Sequence, residues 1–174
     1  LSIGCRSFHE LNFLEYLFEG VGEGGNNGKV YGVDLFNAFN DPRVTVDDAE
    51  QLKSVKDTGR LFDVVYSNNN LEHLMDPVSH FRNLVDVLKK EAYLVYVLPC
   101  WRDENAKPTL GHPNVIHCTK TYESFSRENI NGFLSEMFDL ANVSSEVQFD
   151  LLHHESDEVN AFCYFVAKIT KCNS

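Results

Sequence analysis

Four short apolar runs in this chain each give out at residues that can do chemistry. Gly4 follows Leu1-Ser2-Ile3, Asp34 follows Tyr31-Gly32-Val33, Asp48 follows Val44-Thr45-Val46-Asp47, and Ser67-Asn68-Asn69 follow Phe62–Tyr66. A carboxylate placed like that of Asp34 can accept hydrogen bonds from two adjacent hydroxyls, such as those of a ribose. Leu35 or Phe36, next to it, would then lie against a flat ring, and Asp48, followed by Ala49, would accept from an amino group on that ring. Gly4 permits a close backbone approach, and Cys5 and Arg6 continue the same turn. A helix starting near Phe8 would aim its positive N-terminus at that point. His73, one turn beyond the fourth run, is a candidate general base; packing at a helix start and orienting the loop is its alternative role. Taken singly, each position has a commoner explanation. A strand-end Asp usually forms a turn or caps a helix, and an Asn run is ordinary loop chemistry. The joint occurrence, in order, carries the argument.

The elements that must hold these residues follow from periodicity. Strands are expected at Leu1–Gly4, Lys29–Leu35, Val44–Val46, Phe62–Ser67 and Ala92–Leu98, with a closing antiparallel hairpin of Val147–Leu152 and Ala161–Thr170 around a polar turn, His153–Asn160. The stripe Leu11, Leu14, Phe18 and Val21 predicts a helix over Phe8–Phe18, stopped by a Gly/Asn-rich loop ending at Gly28. Glu50–Lys56 reads as one or two helical turns. Pro77 suits the first turn of a helix whose buried face is Val78, Phe81, Leu84, Val85 and Leu88, with Lys89-Lys90 as its charged end. Ser126 caps a last helix with Ile130, Phe133, Leu134 and Met137 inside. Strands alternating with helices predict an α/β sheet wrapped on both faces, one domain over residues 1–174. In such sheets a ligand binds beyond the carboxyl ends of the strands, where strand order reverses.

Asp48-Ala49-Glu50 after the third strand and Leu71-Glu72-His73 after the fourth, read with Gly4 and Asp34, resemble the class I S-adenosylmethionine-dependent methyltransferases, in particular the small type 11 domains. The resemblance is close over Leu1–Arg102 and topological beyond. It implies a Rossmann-like, seven-stranded, mostly parallel sheet with an antiparallel C-terminal hairpin, and S-adenosylmethionine as cofactor. It makes Gly4 the first motif glycine, Asp34 the ribose acid and Asp48 the adenine contact, with Cys5, Arg6, Leu35, Ala49, Asn68 and Asn69 lining the same cofactor. Two departures stand out. The usual glycine-rich motif is reduced to Gly4-Cys5-Arg6-Ser7-Phe8, so Arg6 either obstructs the site, turns outward or meets the methionine carboxylate. Lys89-Lys90-Glu91-Ala92 stands where the family has a Gly-Gly turn.

Composition narrows the acceptor. A net charge of -11 with no basic stripe argues against a nucleic-acid partner. Five scattered cysteines without a CxxC pair form neither a disulfide framework nor a zinc module, which points to a reducing, cytoplasmic setting. No apolar run is long enough to span a bilayer. His112, His117 and Cys118 lie in the long segment Pro99–Tyr122, with a length typical of a lid or binding loop, and they lack the partners a metal needs; no metal is expected. Trp101 and Tyr122 are candidate walls of an acceptor pocket. The chain opens at Leu1 inside an apolar run without Met, which suggests a missing N-terminal piece. The site would then be open, or closed by a second copy in a homodimer or by a partner subunit. The expected function is methyl transfer to a small-molecule or glycan-type acceptor. The alternative is a non-catalytic methyltransferase-like binding or scaffold subunit; a nicotinamide-dependent dehydrogenase fits less well, because Gly-x-Gly-x-x-Gly is absent.

Overall fold

A sequence in which short apolar strands alternate with amphipathic helices has to bury both faces of its central strands, and the chain does so. The computed structural model describes residues 1–18, 28–99, 127–157 and 162–172. The elements run β1 (Ser2–Ile3), α1 (Phe8–Phe18), β2 (Gly32–Asp34), β3 (Val44–Val46), α2 (Lys53–Asp57), β4 (Phe62–Asn68), a 3-10 turn (Leu71–His73), α3 (Pro77–Val87), β5 (Leu88–Pro99), α4 (Arg127–Leu140), β6 (Val147–Asp157) and β7 (Phe162–Lys171). They build one seven-stranded sheet of order β3-β2-β1-β4-β5-β7-β6. β1 to β5 pair in parallel, and β7 runs antiparallel to both β5 and β6. The expected fold class is therefore the observed one.

The central strands supply the core. Ile3, Val33, Val65 and Leu94 are fully buried, and Phe81, Leu84, Leu134 and Phe138 from α3 and α4 cover one face. Tyr96 stacks on Phe165 with ring centroids 5.4 Å apart, an offset aromatic pairing that adds to simple burial. Leu11 and Leu14 of α1 cover the other face with Cys5 and Val30. α3 starts where Pro77 predicted, because the Asp76 carboxylate accepts from the Ser79 N–H at 3.0 Å and from the Ser79 hydroxyl at 2.6 Å. Those bonds hold the Asp76 carboxyl below its ordinary pKa.

Two expectations are corrected. Lys89 and Lys90 do not end a helix. Leu88 already has extended dihedrals and pairs with Phe62, so β5 starts four residues early. The strand takes the place of the family's Gly-Gly turn, with a register irregularity between Phe62 and Val64 and an ion pair between Lys89 and Asp63 at 2.7 Å. His153 and His154 are likewise in β6 rather than in the hairpin turn, opposite Val166 and Phe165, after a register shift between Leu151 and His153.

Candidate cofactor site

Strand order reverses at β1, which has β2 on one side and β4 on the other. The Gly4 N–H donates to the Val33 carbonyl at 2.8 Å, and the chain then turns away through left-handed residues, Gly4 at φ 69° and Arg6 at φ 42°. The turn is tied down by Asp34. Its Oδ2 accepts from the Arg6 main-chain N–H at 2.9 Å and its Oδ1 from that of Phe36 at 3.1 Å. Each carboxylate oxygen retains acceptor capacity beyond one such bond. Leu35 and Phe36 beside it are exposed.

The Arg6 side chain crosses from the end of β1 toward the exit of β4. Its Nη2 donates to the Asn69 carbonyl at 3.0 Å and stands 3.3 Å from Nε2 of His73. The same nitrogen of His73 lies 3.6 Å from Oε1 of the buried Glu72. The structure thus brings Arg6, Asn69 and His73 together with Asp34 at the reversal point, three of them from segments more than twenty residues apart.

Side-chain directions at the other expected positions differ. Cys5 turns inward: a methyl group on Gly32 would stand 2.6 Å from its sulfur, and burial pushes the thiol up to about 12. Only its backbone faces the turn. Asn68 hydrogen-bonds the Glu10 carboxylate, which also accepts from the Ser2 hydroxyl; burial holds that carboxyl above its ordinary pKa despite these bonds. Gly4 makes room for a neighbour in the chain, since a Cβ there would come within 2.6 Å of Asn70 Oδ1. Asn70 was not among the expected residues. The signal lay in the unbroken Asn68-Asn69-Asn70 run.

At the far end, both acids after β3 shape a loop. Asp47 Oδ2 accepts from the Ser54 and Val55 N–H groups at the start of α2, at 2.7 and 3.3 Å. Asp48 Oδ1 accepts from the Glu50 N–H at 2.8 Å, and its Oδ2 takes no hydrogen bond among the described residues. Ala49 is fixed from below. His80 of α3 is fully buried, with Nδ1 2.7 Å from the Ala49 carbonyl and Nε2 2.6 Å from the Tyr96 hydroxyl. The carbonyl can only accept, so Nδ1 carries the hydrogen and Tyr96 donates to Nε2. Burial lowers the His80 pKa to about 4 and raises that of Tyr96. Asn83 donates to the Glu50 carbonyl at 2.7 Å, and Glu50 Oε1 accepts from the Met75 and Asp76 N–H groups. The 48–50 loop is therefore stapled to the segment that carries His73.

Three buried polar atoms at the exit of β4 have no hydrogen-bond partner among the described residues: Ser67 Oγ, Asn69 Oδ1 and Asn70 Nδ2. Buried polar atoms are normally paired, so this group of acceptors and a donor fits a zwitterionic amino-acid end, as Asp34 fits a diol. Trp101, His112, His117, Cys118, Tyr122 and Ser126 lie outside the described residues. Among the described residues no group of three or more His, Cys, Asp or Glu side chains could hold a metal, and no helix is long and apolar enough to cross a membrane.

Comparison with known proteins agrees with this fold. A family described as a methyltransferase domain matches residues 2–96. Among solved structures, the plantazolicin methyltransferase BpumL, in complex with a pentazolic desmethylPZN analog and SAH, superposes with a TM-score of 0.60 at 11% identity, over 99% of this chain and 76% of its own. A SAM-dependent methyltransferase from Aquifex aeolicus gives 0.52 at 16% identity, over 97% and 79%. An S-adenosylmethionine-dependent methyltransferase from Clostridium acetobutylicum ATCC 824 gives 0.58 at 12% identity, over 97% and 82%. At these identities the likeness is one of fold. No curated protein matches in sequence.

Proposed function

The chain belongs to the methyltransferase-domain family, and from that premise we propose that it transfers the methyl group of S-adenosylmethionine to a small-molecule or glycan-type acceptor. The observation that carries the cofactor assignment is the set of unpartnered buried atoms at the β4 exit, Ser67 Oγ, Asn69 Oδ1 and Asn70 Nδ2, next to the strand reversal at β1 where Asp34 fastens the turn. S-adenosylmethionine supplies, when bound, a methyl group on a positively charged sulfur, which is activated for in-line displacement without further help.

The chain's own task is then largely positioning. Asp34 holds the ribose hydroxyls while its two main-chain bonds keep the carboxylate aimed. Leu35 covers the adenine, and Asp48 Oδ2, on the loop that His80 fixes through Ala49, accepts from the adenine amino group. The backbone of Gly4 and Cys5, with Arg6, Asn69 and Asn70, holds the amino-acid end. Asn68 contributes through its main chain, since its amide is engaged with Glu10. His73 Nε2 takes the proton of an acceptor hydroxyl, and Glu72 Oε1, 3.6 Å away, faces the resulting imidazolium. A small or glycan-type acceptor is supported by the charge of -11, which disfavours a phosphate backbone.

A second reading, a methyltransferase-like binding subunit, is favoured by Arg6 and by Asn70, whose side chain fills the space beside Gly4. One experiment separates the two. Purified protein incubated with S-adenosylmethionine labelled in its methyl group and a panel of hydroxylated small molecules and sugars transfers label under the first reading. Under the second it binds S-adenosylhomocysteine poorly and transfers none.

A further inference from the structure

We infer that Arg6 is a positioning residue that couples arrival of the cofactor's carboxylate to release of the His73 imidazole; this rests on the cofactor assignment above. An arginine has five N–H donors and no acceptor, and it stays charged. The 3.3 Å contact between Arg6 Nη2 and His73 Nε2 is therefore a hydrogen bond only when Nε2 presents its lone pair and Nδ1 carries the hydrogen. That lone pair is the one a general base needs. While Arg6 holds it, His73 cannot accept a proton there.

The guanidinium is held by a single nitrogen. Nη2 spends its two hydrogens on the Asn69 carbonyl and on His73, and the hydrogens of Nη1 and Nε have no partner among the described residues. Arginine binds a carboxylate best through two parallel N–H bonds, and either such pair on a guanidinium includes Nη2, so a bidentate carboxylate has to take over a hydrogen that now serves Asn69 or His73. The neighbourhood makes such an arrival dependent on Arg6. Asp34 and Glu10 lie close by, and Glu72 is behind His73. A carboxylate brought among these acids needs a cation, and Arg6 stands between the ends of β1 and β4. Turning the guanidinium toward the carboxylate draws Nη2 off His73. Glu72 Oε1 then remains 3.6 Å from Nε2, an acceptor suited to a nitrogen that has just gained a proton.

Arg6 sits at φ 42°, a region that favours glycine. Arg6→Gly thus removes the guanidinium while relieving the backbone and keeping the main-chain donor to Asp34.

The test is long-range proton–nitrogen NMR on full-length protein with labelled histidine, at a pH where the imidazole is neutral, with His73→Gln to assign the signal. It is read for the protein alone, with S-adenosylhomocysteine, and with 5′-methylthioadenosine, which lacks the amino-acid end. The expected result is an Nδ1–H tautomer with a hydrogen-bonded Nε2 in the protein alone. S-adenosylhomocysteine shifts the Nε2 signal, 5′-methylthioadenosine binds without shifting it, and in Arg6→Gly the signal no longer responds. Arg6→Gly also weakens S-adenosylhomocysteine about tenfold or more, as expected for a charge-assisted bond, and leaves 5′-methylthioadenosine within about twofold, since that ligand has no carboxylate. Arg6→Lys recovers part of the affinity. An unmoved His73 signal on saturation with S-adenosylhomocysteine, or an equal shift with 5′-methylthioadenosine, overturns the inference while leaving the cofactor assignment standing. Failure of the wild-type protein to bind either ligand overturns the assignment itself.

Discussion

The main-chain N–H of Arg6 donates to Oδ2 of Asp34 at 2.9 Å, so the turn after β1 is fastened to the end of β2 across the point where strand order reverses. Because the bond is solvent-exposed, Asp34→Ala costs only about 1 kcal/mol of stability. That lowers Tm by about 2–4 °C for a chain of this size, and a thermal melt checks it. A folded variant without the carboxylate is therefore obtainable.

His80 is fully buried and hydrogen-bonded through both ring nitrogens. His80→Ala strands the Tyr96 hydroxyl and the Ala49 carbonyl and opens a cavity, and it costs about 2–4 kcal/mol in urea titrations. The pH dependence has a definite sign. The folded pKa of about 4 lies below the ordinary 6.5, so the unfolded chain binds a proton that the native state refuses. The contribution is fully present above pH 6.5 and is lost as pH falls toward 4, by about 3 kcal/mol in all. The difference in slope between wild type and His80→Ala over that window isolates it.

A double-mutant cycle tests the packing beneath the turn. The methyl of Gly32→Ala falls 2.6 Å from the Cys5 sulfur and 3.2 Å from Leu11, which costs about 1–3 kcal/mol of overpacking. In a Cys5→Ala background much of that loss is recovered, with a coupling of about 1 kcal/mol. Simple additivity in urea denaturation would show that the two positions do not touch.

Thiol reactivity follows burial. The Cys5 thiol, pushed up to about 12, stays protonated and resists iodoacetamide at pH 8, as does the buried Cys163. Cys172, partly exposed, is alkylated before both of them. Peptide mapping by mass spectrometry with and without urea gives the order.

His73→Gln separates binding from proton transfer. It lowers turnover on a hydroxyl acceptor by about 10²–10⁴-fold and leaves the affinity for S-adenosylhomocysteine within about threefold, because a base acting only in the reaction step contributes little to ground-state binding. Equal losses in both would make His73 a structural residue of the loop.

Much of this was readable from residue order. Phe8–Phe18 and Val44–Val46 have the expected bounds, and α3 starts at Pro77, because an apolar period, a β-branched run and a capped proline are local signals. Asp34 was legible as a strand-end acid, but its main-chain bonds to Arg6 and Phe36 were not, since they depend on the turn's left-handed dihedrals. Cys5 looked like a site residue by adjacency alone; the missing Cβ of Gly32, twenty-seven residues away, lets it turn inward. β5 was drawn too short because Lys89-Lys90-Glu91 is polar, whereas pairing of Leu88 with Phe62 extends the strand regardless. His80 did carry a signal, since it falls on the same helical stripe as Phe81, Leu84 and Val87. Its partners Ala49 and Tyr96 come from other segments, and no local pattern names them.

The most direct test of the central claim is calorimetric titration of the purified protein with S-adenosylmethionine and S-adenosylhomocysteine, run in parallel on Asp34→Ala. The account predicts micromolar binding of both by the wild type and a loss of about tenfold or more in the variant, with its fold confirmed by the melt. Absence of binding by the wild type, or affinity indifferent to Asp34, would contradict a cofactor site at the β1–β4 reversal.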